Sequence, residues 1–198
     1  MYYRTETIDL TIIHEVWSGL YTKHFPIYTN DFIADIGAHI GAFSVLASGQ
    51  TRGMVYAFEP HPGNYKLLVE NTRGLPNVIP MQAAVSAERG ETLITSRVPW
   101  NTGKIATGHG DTLVQVVTLD EIVPGATFLK IDAEGSEIPI IAGGRQLFER
   151  GVRVVMEVHR KGSLDEIGAY LQQMGYDVIY EAHWSNWILW AQKRSIST

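Results

Sequence analysis

The side chains able to do chemistry sit at the ends of short apolar blocks: Asp35, Glu59, Asp132, Glu134, Glu157 and His159. A carboxylate in such a place can accept hydroxyl hydrogens, neutralise a cation or take up a proton, and a histidine titrates near neutrality. Five carboxylates on one rim suit a cationic ligand or a metal and suit anions poorly. Read as a proton-moving set, His159 and Asp132 are the candidate bases, with His39 third and Glu157 as the partner of His159.

The run from Asp31 to Ser44, DFIADIGAHIGAFS, organises the rest. Phe32, Ile33, Ala34 and Ile36 make a buried strand interrupted by Asp35, after which Gly37 and Gly41 lead into helical spacing. A glycine turn at a helix start is a candidate nucleotide cradle. Its spacing is G-x-x-x-G, whereas a dinucleotide fingerprint places G-x-G-x-x-G there. His39 stands where the second glycine would admit a pyrophosphate, and Asp35 repels phosphate. S-adenosylmethionine, cationic and phosphate-free, is the better match. Glu59 lies about twenty residues beyond Gly37, the spacing at which an acid binds ribose hydroxyls. Pro60 holds Glu59 extended at its strand end.

These residues need a scaffold that gathers strand ends. The pattern predicts strands over Phe32–Ile36, Met54–Phe58, Val78–Ala83, Thr127–Asp132 and Val152–His159, with helices between them over Asn64–Arg73, Ser136–Arg150 and, after the fifth strand, Leu164–Met174. Such alternation specifies right-handed crossovers and a doubly wound α/β fold with a mostly parallel seven-stranded sheet. The last two strands, Tyr176–Glu181 and Trp187–Gln192, are close enough for an antiparallel hairpin. Residues 1–30 read as an N-terminal helical extension, with Asp9 as N-cap and Leu10, Ile13, Trp17 and Leu20 on one face of a helix over 9–25, packed on the sheet edge or capping the site. Glu91–Thr95 and Leu113–Thr118 read as extra short strands. The aperiodic stretch 96–111, with Trp100, Lys104 and His109, reads as a lid loop over the acceptor.

The chain has 198 residues, 45% hydrophobic and 19% charged, a size and composition for one domain, 1–198, that buries roughly 70% of its unfolded surface. Its 16 basic and 21 acidic residues leave a net charge of -5 and no electrostatic footprint for nucleic acid. The absence of cysteine excludes disulfides, thiolate nucleophiles and cysteine-bound zinc. No leader-like start and no apolar run of membrane-spanning length are present, so a cytoplasmic protein without a membrane partner is expected.

The chain resembles the FkbM family of class I, S-adenosylmethionine-dependent methyltransferases, which have a Rossmann-like fold. The matching stretches are Asp35-Ile36-Gly37-Ala38-His39-Ile40-Gly41, Phe58-Glu59-Pro60, Thr118-Leu119-Asp120, Lys130-Ile131-Asp132-Ala133-Glu134-Gly135 with Glu137, and Glu157-Val158-His159. The family usually has Asn where this chain has His39 and His61. The resemblance implies that Gly37, Ala38, His39 and Gly41 pass close to the methionine part of the donor. Asp35 orients the donor ammonium through the turn, Glu59 with Pro60 holds the ribose, and Gln82 and Ala83 face the adenine. Asp132 lies beside the methyl. It also implies O-methylation of a hydroxyl on a small metabolite or sugar.

A divalent metal on Asp132, Glu134, Glu157 and His159 is compatible with the residue types but not expected, since no two have helix spacing. Lys130 is expected to point away from the rim or neutralise part of it. The acceptor pocket must be built from the leading helix and the lid loop, with a second subunit in a homodimer as an open alternative contributor. An NAD-dependent oxidoreductase is disfavoured by His39 and by the lack of a Tyr-x-x-x-Lys pair. A non-catalytic nucleotide-binding module remains compatible with the same residues.

Overall fold

The computed structural model describes residues 1–95 and 110–194. The expected lid over 96–111, including Trp100, Lys104 and His109, falls almost wholly outside the described residues.

The main sheet contains β1 (Ile33–Ile36), β2 (Val55–Phe58), β3 (Val78–Met81), β7 (Phe128–Ile131), β8 (Arg153–Val158), β9 (Tyr176–His183) and β10 (Asn186–Lys193). Their spatial order is β3-β2-β1-β7-β8-β10-β9. Five strands run parallel, and β10 pairs antiparallel with both β8 and β9. The expected seven-stranded sheet and closing hairpin are therefore present. The order reverses between β1 and β7, which makes the carboxyl ends of β1, β2, β7 and β8 the natural site for a ligand.

The period of two along these strands assigns side chains to faces. Ala34, Phe58, Leu129, Val154 and Met156 pack into one buried layer, and Ile33, Ala57, Phe128 and Val155 into the other. The first layer is covered by α5 (Glu137–Gly143), α6 (Arg145–Arg150) and α7 (Lys161–Gln173), and the second by α2 (Ala42–Ser48) and α1 (Asp9–Trp17). The α3 helix (Pro62–Thr72) follows β2. Burial on both faces explains why β1 and β7 read as apolar runs.

Several expectations are corrected. The third predicted strand ends at Met81, and Ala83–Val85 forms β4 of a second sheet with β5 (Gly90–Ile94) and β6 (Thr112–Val117), in the order β4-β6-β5. Gln82 is the break between the sheets. The predicted helix over 136–150 is two helices that meet at Gly144, and Gly143 packs so closely that a Cβ there would lie 2.0 Å from the Ser86 carbonyl oxygen. The Asp120 carboxylate accepts the main-chain amides of Gln146 and Leu147, at 2.9 and 3.2 Å, in the first turn of α6. That motif residue is a helix anchor, within the short helix α4 (Leu119–Ile122).

The leading helix is also turned from its expected face. Leu10 and Trp17 are exposed, while Val16 is buried with Ile12 and Ile13 beside it. Asp9 is the first helical residue and not the N-cap. It is fully buried and accepts from Arg4 through N and Nε, both at 2.9 Å, and Nη2 at 2.8 Å.

Candidate active site

The β1 turn is tight because Gly37 and Gly41 take φ of 71° and 88°. At Gly37 the need for glycine is twofold: a Cβ would sit 1.9 Å from the Asp132 carbonyl oxygen. His39 also has positive φ, 52°. Asn and His both tolerate this left-handed region better than most residues, which accounts for His in place of the family's Asn. Four of the turn's amides are spent internally. Gly37 and Ala38 donate to Phe58 O at 3.0 Å, Gly41 donates to Ala38 O at 2.8 Å, and His39 N donates to Glu59 Oε2 at 2.8 Å.

Glu59 is thereby held rigidly. Its second oxygen, Oε1, accepts His61 N at 2.9 Å. Burial raises its pKa to about 7 against these amide hydrogen bonds, which favour the anion. His61 caps α3 by accepting the Gly63 amide on Nδ1 at 3.1 Å, so imidazole does here what an Asn side chain does at an N-cap. Arg4 Nη2 donates to Asn64 Oδ1 at 2.8 Å, tying the N-terminal segment to this side of the site.

Across the cleft, Asp132, Glu157 and His159 bring one ligating atom each within 4.8 Å of one another. Glu157 Oε2 accepts from Tyr21 Oη at 2.7 Å and Oε1 from Asn186 Nδ2 at 2.6 Å. His159 Nε2 is 3.7 Å from Glu157 Oε1, and neither ring nitrogen makes a hydrogen bond to the described residues. Burial raises the Asp132 pKa to about 7, with Lys130 pulling it down and Glu157 pushing it up.

Lys130 lies beneath the rim, 4% exposed, with Nζ donating to Gly37 O at 2.8 Å. Burial alone would lower its pKa, yet Asp35, Asp132 and Glu157 overcome that and raise it. It neutralises part of the acidic rim, the second of the two placements its sequence position allows. With its ammonium 3.8 Å from Asp132 Oδ2, it also competes with any divalent cation for that carboxylate.

A cleft of about 470 Å³ joins the two sides. Gly37, Ala38, His39, Glu59, Pro60, Ala83, Asp132, Glu134, Glu157 and His159 all line it, so most sequence-predicted site residues are brought together. Three are not on its wall. Asp35 is wholly buried under the turn and accepts from Ser44 Oγ at 2.7 Å. Gly41 lies behind the turn with Leu68 against it, and Gln82 is exposed. Glu134 lines the cleft but is not part of the Asp132, Glu157 and His159 group.

Tyr21, Asn186 and Trp184, none of them singled out by the sequence pattern, line the same cleft. Tyr21 has no local signature. Asn186 and Trp184 could be found only through the register that pairs Trp187 with Val158 and so carries the hairpin turn to the end of β8.

Strand order, terminal hairpin and cleft together define a class I methyltransferase fold. Similar solved structures include a precorrin-6y C5,15-methyltransferase from Geobacter metallireducens, 14% identical with TM-score 0.59, covering 98% of this chain and 94% of that one. Another is Aeropyrum pernix fibrillarin with natively bound S-adenosyl-L-methionine, 15% identical with TM-score 0.57, covering 91% and 74%. The methyltransferase FkbM domain matches residues 35–178, and the chain belongs to the FkbM methyltransferase family. Among curated relatives, hexuronic acid methyltransferase AglP of Haloferax volcanii is 30% identical over 138 residues, 66% of this chain. The match spans about half of that enzyme, 56% of its length. Methyltransferase sdnD of Sordaria araneosa is 24% identical, with 93% of this chain and 89% of that protein covered. No helix among the described residues is long and apolar enough to cross a membrane.

Proposed function

We propose that this methyltransferase uses S-adenosylmethionine to methylate a hydroxyl of a small metabolite or sugar. The observation that carries the donor assignment is the turn whose amides are consumed by Phe58, Ala38 and Glu59. A pyrophosphate needs free amides, and this turn spends those of Gly37, Ala38, His39 and Gly41 on its own chain. A cleft of about 470 Å³ is of the size that holds a nucleoside ligand. Its rim carboxylates suit a sulfonium and an ammonium.

The donor supplies an electrophilic methyl on a sulfonium whose charge is lost on transfer. Glu59, with both oxygens aimed by main-chain amides, accepts the ribose hydroxyls, and Pro60 and Ala83 flank the adenosine. Asp132 faces the donor's positive charge. His159 removes the acceptor proton through Nε2, which lies 3.7 Å from Glu157 Oε1 in the cleft. Glu157, committed to Tyr21 and Asn186, keeps that corner negative and positions the imidazolium that forms.

The test is thermal: S-adenosylhomocysteine raises the melting temperature by a few degrees at saturation, and NAD does not. Stabilisation by NAD without stabilisation by S-adenosylhomocysteine overturns the donor assignment. Labelled methyl transfer to a panel of sugars and aliphatic alcohols then tests the hydroxyl acceptor.

A further inference from the structure

The loop that joins β9 to β10 is two residues long, Trp184 and Ser185. Its first residue has φ of 52°. Glycine or asparagine ordinarily fills such a position, and an indole there costs conformational energy. It also leaves the residue 79% exposed, which loses the burial that normally favours tryptophan. Neither cost serves the fold. Yet the ring is braced: it stacks on His183 with centroids 5.5 Å apart and planes 14° from parallel. His183 Nε2 in turn lies 3.1 Å from Glu15 Oε1 on α1.

The braced indole lines the cleft, as do Asn186, Glu15, Thr11 and His159. A flat aromatic face ringed by hydrogen-bonding groups matches a ligand with one C–H face and a rim of hydroxyls. The charges there are Asp132, Glu134, Glu157 and Glu15. Among the described residues the lone Lys or Arg on the cleft wall is Lys130, already between Asp35 and Asp132. A carboxylate on the acceptor would meet repulsion there.

We infer that the cleft mouth is the docking site of a neutral pyranoside, seated with a C–H face on Trp184 so that a ring hydroxyl reaches His159. This rests on the hydroxyl-methylation reading and narrows it. It also separates this chain from its hexuronic acid methyltransferase relative at the level of acceptor charge.

Saturation-transfer NMR on the full chain tests it, using the methyl glycosides of glucose, galactose and mannose and methyl glucuronide, each titrated with S-adenosylhomocysteine present. At least one neutral glycoside binds, with saturation concentrated on the hydrogens of one ring face. Trp184→Ala weakens that binding about ten-fold or more, whereas Trp184→Phe, which keeps an aromatic face, costs less than about three-fold. Methyl glucuronide binds about ten-fold more weakly than the glucoside. Absence of glycoside binding, an unaffected Trp184→Ala, or equal binding of the glucuronide overturns the inference. Calorimetry of S-adenosylhomocysteine alone is run on all three proteins. Intact donor binding with failed glycoside binding sinks this inference only, and absent donor binding sinks the donor assignment.

Discussion

The Lys130 ammonium stands 3.4 Å from Asp35 Oδ1, with both side chains buried beneath the glycine turn. Because the same Nζ holds Gly37 O at 2.8 Å, this ion pair supports the turn as well as balancing charge. Removing one partner leaves the other buried and uncompensated. Lys130→Met is expected to destabilise the protein by about 3–5 kcal/mol, measured by urea unfolding. A loss under about 1 kcal/mol would show that the pair contributes little beyond packing.

Gly37 offers a sharper test of the turn. Gly74 has φ of 84° and open space, with no atom within 4 Å, where a Cβ would stand, so Gly74→Ala carries backbone strain alone, about 1–2 kcal/mol. Gly37→Ala adds collision with the Asp132 carbonyl and should cost about 4 kcal/mol or more. Equal losses in the two variants would mean that the close approach of β1 and β7 relaxes freely.

Glu59 makes donor binding depend on pH. Its folded pKa, about 7, lies above the ordinary 4.5. The folded state therefore holds a proton that the unfolded state has lost. By linkage, the contribution of Glu59 to stability is fully present below about 4.5 and is lost as pH rises through about 7. Ribose hydroxyls prefer the anion, so affinity for S-adenosylhomocysteine should move the other way, rising about ten-fold between pH 6 and pH 8. Calorimetric titration across that range checks it, and Glu59→Gln should flatten the profile.

The strands and the glycine turn could be read directly because apolar runs with period two and steric demands on glycine are local properties. Glu59 and Asp132 were legible for the same reason, standing at strand ends. The placement of Asp35 was not. Its burial depends on Ser44 and on Lys130 from another strand, and strand adjacency is decided by long-range packing. Leu10 and Trp17 misled in the opposite way. They keep helical spacing with Ile13, yet the face that turns inward is set by the site wall beneath α1, where Ile12 and Val16 line the cleft.

Asp132 and His159 share one corner but answer to different ligands, and this separates their roles. Asp132 is raised from 3.8 to about 7 by burial, with Lys130 opposing and Glu157 reinforcing. As pH passes through about 7 it gains a charge that attracts the sulfonium of S-adenosylmethionine and has no such partner in neutral S-adenosylhomocysteine. The ratio of the two affinities should therefore rise with pH, a readout in which the ribose contribution of Glu59 cancels. Asp132→Asn should remove that rise. His159→Ala should leave the ratio and its pH dependence intact while lowering kcat about 100-fold or more, the usual range for losing a general base. If His159→Ala instead spares kcat and Asp132→Asn abolishes it with the donor still bound, the proton passes to the carboxylate and His159 merely shapes the rim.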